Sequence, residues 1–389
     1  MKYISRQIEP QLVKVIKQFP VLSVTGPRQS GKTTLLKNVF PDLKYFNLER
    51  IDLRNIVISD PMGFLKSTGT GVIFDEAQNF PELFSYIQVI SDERGTPGQY
   101  ILSGSQSFLL NQHISQSLAG RVHISNLLPF SMKELSGFSE DICHTLHKGF
   151  YPRIYSEGIT AGDFYPSYLQ TYIERDVRSI KSIENLNSFS RFLGLCAGRV
   201  GQILNLSSLA NDAGVSVNTA KAWLSILEAG FIIFLMPPFY KNYNKRLIKS
   251  PKIYFYDTGI VCSLLRITNP DMLKTHYLFG SLFENLIIDE ILKSQINSGN
   301  RPEAYYWRES NGTEIDCILE KGNGDLIATE IKAGETFNKD YLKNFKNFPG
   351  DANRVIKYII YTGDQSTDIT NVRLISYKDM SDFLEEFNR

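Results

Sequence analysis

The chain of 389 residues is poor in cysteine and contains no long apolar run. Its four cysteines lie far apart and form no CxxC pair, which argues against a disulfide framework and against a zinc site. The nearest approach to a ligand cluster, Cys143, His144 and His147, has no second cluster that would complete a tetrahedron. The longest apolar run, residues 230–236, stops at two prolines and is far shorter than the roughly 20 residues that span a bilayer.

The chain also lacks an excess of charge of one sign, because its formal net charge is only +1. This balance argues against a protein that binds polyanions over its whole surface. It is compatible with a local surface that binds nucleic acid. The first ten residues, MKYISRQIEP, contain no apolar segment of the kind that secretory signals require, so we expect a cytoplasmic protein with no membrane partner. The length is sufficient for two or three domains.

A phosphate-binding loop is the most specific motif of the chain. Residues 26–33, GPRQSGKT, fill every fixed position of the pattern G-x-x-x-x-G-K-[ST]. The preceding run, residues 21–25, is typical of a buried parallel strand, and residues 34–39 predict a helix. The order strand, glycine loop, helix places backbone N–H groups and the positive end of a helix dipole at a phosphate. The residues predicted to surround ATP are Gly26, Pro27, Arg28, Gln29, Ser30, Gly31, Lys32, Thr33 and Thr34.

Within this loop, Lys32 is predicted to reach the β- and γ-phosphates and Thr33 to ligate Mg²⁺. A second apolar run, residues 71–74, ends in Asp75 and Glu76, as a Walker B strand does. Asp75 would hold Mg²⁺ through water, and Glu76 would polarise the attacking water as a catalytic residue. Alternating apolar strands and helices predict a doubly wound α/β fold with a parallel sheet.

Two further features of this region leave alternatives open. Residues 99–102 predict a strand that runs into Ser103 and Ser105, which would contact the γ-phosphate or the catalytic water, unless they form a plain Ser-Gly turn. Hydrolysis also needs a cation on the developing negative charge, and Arg121 is the first candidate. Arg28 is the next, and Arg175 and Arg178 would act in cis or across a subunit interface.

The middle of the chain predicts a winged helix-turn-helix. Residues 206–213 and 216–229 have the apolar spacing of two helices, and Gly214 and Val215 join them. A strand, a lysine-rich stretch and a second strand follow in residues 230–256. Five cations of this stretch suit phosphate contacts, namely Lys241, Lys245, Arg246, Lys249 and Lys252. A purely structural role as a lid or packing element is equally compatible with the pattern.

The C-terminal region predicts a nuclease-like site. A helix over residues 279–292 carries Glu284, and strands are predicted over residues 305–308, 313–320 and 326–332. Glu330 and Lys332 share one face of their strand, and Asp316 on the neighbouring strand can meet that face. Such carboxylates hold Mg²⁺ or Mn²⁺, for which we predict Asp316 and Glu330, while the lysine orients the attacking water. A salt-bridged remnant without activity is the alternative.

Taken together, these motifs resemble a broad bacterial and archaeal family. Its members combine an AAA-superfamily ATPase core, a winged helix and a C-terminal domain of unknown function with a restriction-endonuclease-like fold. The resemblance spans nearly the whole chain and rests on GPRQSGKTTLL, VIFDEAQ, ILSGSQSF, GSLFENLI, and GTEIDCILE with EIK. It implies ATP binding through Lys32 and Thr33, with Asp75 and Glu76 as the acidic pair. It also implies a nuclease-like site at Glu284, Asp316, Glu330 and Lys332.

These observations predict an α/β chain in three parts: a P-loop ATPase domain over residues 1–160, a helical and winged helix-turn-helix domain over 161–270, and a restriction-endonuclease-like domain over 271–389. The expected function is an Mg²⁺-dependent ATPase that couples its nucleotide state to DNA binding or processing. The alternative is an ATP-dependent switch or binding module whose nuclease-like domain is inactive. A homo-oligomer is compatible with both, because an arginine supplied in trans would complete the ATPase site.

Overall fold

In the computed structural model, the described residues are 3–104, 114, 117–135, 141–177, 185–239, 250–309, 311–348 and 354–388. The side chains of residues 174–176 and 388 are not among them. The structure has three parts in chain order: a parallel sheet with helices, a helical middle segment with a two-stranded ribbon, and a mixed sheet.

The N-terminal sheet has five parallel strands in the order β2-β3-β4-β1-β5. The strands are β1 (Val21–Thr25), β2 (Lys44–Asn47), β3 (Val72–Asp75), β4 (Tyr100–Ser103) and β5 (Val122–Asn126). The helices are α1 (Glu9–Val15), α2 (Lys32–Val39), α3 (Ile51–Ser59), α4 (Pro61–Thr68) and α5 (Leu83–Arg94). Every residue of β1, β3 and β4 is buried, as expected of strands covered on both faces. The predicted α/β fold with a parallel sheet is therefore confirmed, and β4 separates β1 from β3.

The middle segment is built around packed aromatic rings. Its helices are α6 (Ile142–Lys148), α7 (Pro152–Ser156), α8 (Ala161–Thr171), α9 (Leu186–Ala197), α10 (Leu206–Ala213), α11 (Val217–Ala229) and α12 (Thr258–Leu264). The ring centroids of Tyr151 and Tyr168 lie 4.8 Å apart, and those of Tyr151 and Phe164 lie 5.3 Å apart. Because Tyr151 also belongs to this core, the core begins before residue 160, where the sequence predicted a domain boundary.

The two helices predicted around Gly214 are confirmed as α10 and α11. Each begins at a capping side chain: Asn205 accepts a hydrogen bond from the N–H of Ser208, and Ser216 accepts one from the N–H of Thr219. Gly214 has φ 73°, the left-handed conformation that ends α10. The antiparallel strands β6 (Ile233–Met236) and β7 (Lys252–Phe255) follow. Of the lysine-rich stretch between them, Lys241, Lys245, Arg246 and Lys249 lie outside the described residues.

The C-terminal sheet has six strands in the order β12-β13-β11-β10-β9-β8. Its strands are β8 (Tyr305–Arg308), β9 (Glu314–Glu320), β10 (Leu326–Lys332), β11 (Val355–Tyr361), β12 (Thr367–Ile369) and β13 (Val372–Ser376). The first three form an antiparallel meander, and β11 then pairs with β10 in parallel. The helices of this part are α13 (Phe279–Asn297) and α14 (Met380–Asn388), of which α13 contacts β10.

Helix α13 is buried on nearly all sides because it contacts all three parts of the chain. Asn285 pairs with both main-chain groups of Phe255 in β7, at 2.7 and 2.9 Å. Glu290 accepts a hydrogen bond from the N–H of Met132 at 2.9 Å, and Lys293 donates one to the carbonyl of Phe130 at 2.9 Å. These buried charges distinguish α13 from a lipid-facing helix. Among the described residues, no helix is both long and apolar enough to cross a membrane.

The buried charges of α13 predict a measurable pH dependence. Burial, opposed by Lys293, raises the pKa of Asp289 to about 8. The folded chain therefore binds more protons than the unfolded chain between about pH 4 and pH 8, and its stability falls as pH rises through this range. We expect the thermal midpoint of Asp289→Asn to fall less between pH 5 and pH 8 than that of the wild type. The matched control, Asp382→Asn at an exposed position, should follow the wild type.

Candidate functional sites

The phosphate-binding loop lies at the carboxyl edge of the N-terminal sheet, between β1 and α2. Gly26 has φ 142° and Gly31 has φ 93°, which side-chain-bearing residues rarely adopt. A Cβ atom on Gly26 would lie 2.1 Å from the carbonyl oxygen of Leu127, so only glycine fits there. Gly31 precedes the first residue of α2, and the free N–H groups of that helix end can bind an anion.

Lys32 and Thr33 meet the acidic end of β3 within this edge. The ammonium group of Lys32, whose residue is 6% exposed, donates to the carbonyls of Gly26 at 3.0 Å and Pro27 at 2.8 Å. The Thr33 hydroxyl donates to Asp75 Oδ2 at 2.6 Å. The predicted convergence of the loop and the acidic strand is thus present in the structure.

Asp75 also accepts hydrogen bonds that the sequence did not predict. The hydroxyl of Tyr45 donates to Oδ2 at 2.6 Å, and that of Ser103 donates to Oδ1 at 2.5 Å. Burial and the hydrogen bond to Asp75 raise the pKa of Tyr45 well above its ordinary value, so Tyr45 remains a donor. Ser103 therefore orients the acid, whereas Ser105 lies outside the described residues. A carboxylate beside a threonine hydroxyl is the oxygen chemistry that suits Mg²⁺.

Glu76 directly follows β3 and has an unusual backbone conformation. Its φ of 53° and ψ of 45° are left-handed, which is uncommon for a residue other than glycine. The side-chain amide of Gln78 donates to Glu76 Oε2 at 2.5 Å, which fixes the direction of the carboxylate. Glu76 also lines the cavity beside the loop, where it can act on a water molecule.

A cavity of about 440 Å³ adjoins the loop and has the size of a small-molecule site. Its lining residues come from the loop and α2, from the N-terminal segment and from α7: Tyr3, Ile4, Arg6, Arg28, Gln29, Ser30, Gly31, Lys32, Thr33, Thr34, Asn38, Glu76, Phe130, Pro152, Arg153, Ser156 and Glu157. Sequence reasoning missed Arg6 and Arg153, because they are distant from every motif and carry no local signal.

The prediction that Arg121 completes this site is wrong for a site within one chain. Arg121 pairs with Asp92, with Nε lying 2.5 Å from Oδ1, and its carbonyl accepts the N–H of Val21. It therefore lies at the amino edge of β1 and β5, whereas the loop follows the carboxyl edge, roughly 16 Å away along a five-residue strand. Arg28 does line the cavity. Arg178 and the side chain of Arg175 lie outside the described residues.

The C-terminal sheet brings three of its predicted residues together. Lys332 Nζ lies 3.1 Å from Asp316 Oδ2 and also forms an ion pair with Glu330. Asp316 accepts the N–H of Ile331 at 2.7 Å, and Asn344 donates to Glu330 at 3.1 Å. The alternation of β10 placed Glu330 and Lys332 on one face, as the sequence predicted.

The fourth predicted residue, Glu284, is held by β7 instead. Its Oε1 accepts from Lys252 Nζ at 2.8 Å and from the hydroxyl of Tyr254. Lys252 also forms an ion pair with Glu314, and its side chain is only 3% exposed. The prediction that Lys252 contacts nucleic-acid phosphates is therefore wrong, because its ammonium group is committed to buried carboxylates.

Burial and lysine pairing act in opposite directions on the acids of this cluster, which we call the carboxylate–lysine cluster (Lys252, Glu284, Glu314, Asp316, Glu330 and Lys332). Burial alone would raise the pKa of Asp316, but Lys332, Lys252 and the Ile331 N–H together lower it. Burial and the charge of Asp316 raise the pKa of Glu330 to about 8. Burial also raises the pKa of Glu284.

This pairing does not fit the predicted divalent-metal site. Among the described residues, no group of three or more His, Cys, Asp or Glu side chains is arranged to hold a metal ion. Asp316 and Glu330 share the ammonium group of Lys332, so their oxygens face a cation already. The predicted metal role of Asp316 and Glu330 therefore lacks support in this arrangement, although the predicted meeting of the residues is present.

Three family models match successive stretches of the chain. Residues 18–136 match the model described as "AAA domain". Residues 139–271 and 279–380 match two models described as domains of unknown function, DUF8612 and DUF4143. With the loop, Asp75 and the parallel sheet in place, residues 18–136 form an AAA-type P-loop domain.

Two relatives align with most of this chain. Uncharacterized protein Rv2008c of Mycobacterium tuberculosis is 28% identical over 337 residues, which cover 85% of this chain and 74% of that protein. Uncharacterized protein MJ1544 of Methanocaldococcus jannaschii is 23% identical over 416 residues, with 97% and 86% covered. A solved structure, the Walker-type ATPase paby2304 of Pyrococcus abyssi, aligns at 16% identity over 68% of this chain and 96% of that chain. The TM-score of this alignment is 0.45.

The buried Lys252 predicts a strong effect on stability. Removing one partner of a buried ion pair leaves uncompensated charge and costs about 3–5 kcal/mol. We expect Lys252→Met to lower the thermal midpoint clearly, and the double variant Lys252→Met, Glu284→Gln to recover part of the loss. Lys221→Met, at an exposed position of α11, is the matched control. An unchanged midpoint in Lys252→Met would contradict the assigned ion pairs.

Proposed function

We propose that this protein binds ATP with Mg²⁺ at the phosphate-binding loop and hydrolyses it. The observation that carries the proposal is the hydrogen bond of 2.6 Å between Thr33 and Asp75, with Lys32 and Glu76 on either side of it. When bound, Mg²⁺ would neutralise phosphate charge, and Thr33 and Asp75 would hold it. Tyr45 and Ser103 keep the Asp75 carboxylate in position for that role.

The chain's own groups supply the remaining chemistry. Lys32 exchanges the carbonyls of Gly26 and Pro27 for phosphate oxygens, so that its ammonium group stabilises negative charge on them. Glu76, oriented by Gln78, accepts a proton from the attacking water as a general base. Arg28 and Arg153 line the same cavity and are the candidates for a cation supplied in cis.

We further propose that the nucleotide state is coupled to nucleic-acid binding by the rest of the chain. Supporting observations are the exposed polar side chains of Asn218 and Lys221 on α11, the second helix of the pair, and the strand ribbon that follows it. An antiparallel meander followed by a parallel strand, packed against α13, also accords with a restriction-endonuclease-like fold.

A second candidate function is an ATP-dependent switch whose C-terminal domain binds a partner without cleaving it. The observation that favours it is the carboxylate–lysine cluster, in which each of the four acids contacts at least one lysine. In that arrangement the lysine ammonium groups compete with a metal ion for the carboxylate oxygens.

Variants of the loop and of the acidic strand test the ATPase. Lys32→Ala should lose ATP binding, because the phosphates lose their ammonium partner. Glu76→Gln should keep ATP affinity within about threefold and lose turnover by roughly 10²-fold or more, the size of a general-base contribution. Calorimetric titration and phosphate release provide the measurements. Normal turnover in Lys32→Ala would refute the assignment of the loop.

A DNA assay tests the proposed nucleic-acid binding and separates a binding module from a nuclease. With supercoiled and single-stranded DNA, Mg²⁺ or Mn²⁺, and with or without ATP, we expect binding without cleavage, because the acids of the cluster are paired with lysines. Lys221→Glu should weaken binding and reduce its salt dependence. Cleavage by the wild type that is lost in Lys332→Ala would instead establish an ATP-coupled nuclease.

A further inference from the structure

Arg6 lies buried directly behind the phosphate-binding loop, and the residue is 5% exposed. Its guanidinium group donates to the carbonyl of Ser30 in the loop at 2.9 Å. The other terminal nitrogen donates to the carbonyls of Leu128 at 2.7 Å and Pro129 at 3.3 Å. Arg6 thus joins the loop to the main chain that follows β5.

The segment after β5, residues 128–134, holds Arg6 from the other side. Glu134 Oε1 lies 3.1 Å from Nε of Arg6, and both side chains are almost fully buried. The Arg6 guanidinium also lies 4.7 Å from the ring centroid of Phe130. Glu134 is itself fixed by the N–H groups of Gln7 at 2.6 Å and Ser131 at 2.9 Å. Because the planar guanidinium group of Arg6 has partners on several sides, its orientation is restricted.

Helix α13 holds the same segment from its opposite face. Lys293 donates to the carbonyl of Phe130, and Glu290 accepts the N–H of Met132, both at 2.9 Å. Lys293 is paired with Asp289 at 2.7 Å. Residues 128–134 therefore lie between two buried ionic groups, Arg6 on the side of the loop and the charges of α13 on the other.

ATP binding must move the Lys32 side chain within the loop that Arg6 restrains. Lys32 is bonded to the carbonyls of Gly26 and Pro27, and it has to leave them to reach a phosphate. Gly26 packs against Leu127, the residue before the segment, and Ser30 is bonded to Arg6, which in turn is bonded to the segment at Leu128 and Pro129. A change at either end of this chain of contacts changes the free energy of the other.

We propose that Arg6 is a positioning residue for the phosphate-binding loop, and that the buried charges of α13 set its position through residues 128–134. Nucleotide affinity then depends on Lys293 and Glu290, and ATP binding in turn changes the free energy of α13. This inference rests on the proposed ATP binding and names the residues through which it reaches the C-terminal part of the chain.

The test is a double-mutant cycle in the full chain, read as the Kd of a non-hydrolysable ATP analogue with Mg²⁺. We expect Arg6→Met to weaken binding roughly 10-fold and Lys293→Met at least about fivefold, within the range of typical coupling. The double variant should bind about as weakly as Arg6→Met alone, because Lys293 acts through Arg6. Arg6→Lys, which keeps the charge but loses the planar fork, should recover only part of the affinity.

The matched control is Lys133→Met. Lys133 lies in the same segment but forms an exposed ion pair with Glu385, so its removal should leave the Kd unchanged. Should Lys293→Met fail to fold, Glu290→Gln replaces it, because the amide oxygen still accepts the Met132 N–H while the charge is lost. Thermal midpoints identify the variants that are folded.

Three outcomes distinguish the hypotheses. Wild-type affinity in folded Lys293→Met or Glu290→Gln would overturn the inference and leave the proposed ATPase intact. Additive effects of Arg6→Met and Lys293→Met would also overturn it, because they would show two independent structural defects. Absence of ATP binding by the wild type would refute the proposed function together with the inference.

Discussion

A buried ammonium group must be paired, and the pairing of Lys293 fixes how the three parts of this chain meet. Its partners are two acids of its own helix and a carbonyl of the segment after β5. Without these acids the charge of Lys293 would be uncompensated in the interior, where it costs several kcal/mol. Helix α13 is therefore held against the ATPase sheet by charge, and against β7 by Asn285.

The nucleotide site depends on that arrangement through main-chain groups. The side chains proposed to bind and hydrolyse ATP, Lys32, Thr33, Asp75 and Glu76, all belong to the N-terminal part of the chain. The cavity of this site, however, is closed by the N-terminal segment and by α7 of the middle core. A site that spans two packed units responds when either unit moves, so the proposed coupling of nucleotide state to the rest of the chain would act through this cavity.

The carboxylate–lysine cluster joins two parts of the chain. Asp316, Glu330 and Lys332 meet as the sequence predicts, and Lys252 enters from β7 and pairs with Glu284 and Glu314. The cluster is consequently shared between the strand ribbon and the C-terminal sheet. Its ionic balance depends on the contact between these two parts rather than on the C-terminal sheet alone.

The sequence by itself determined the features whose residues are contiguous or regularly spaced. The loop from Gly26 to Thr33, the acidic end of β3, the capped pair α10 and α11 and the shared face of Glu330 and Lys332 follow from local geometry. Only the tertiary structure decided the rest. The insertion of β4 between β1 and β3 brings Ser103 to Asp75, and strand direction places Arg121 at the edge opposite the loop. The partners of Arg6 and Lys252 come from distant segments of the chain. A buried charge needs a partner, and the local sequence does not indicate which distant group will provide it.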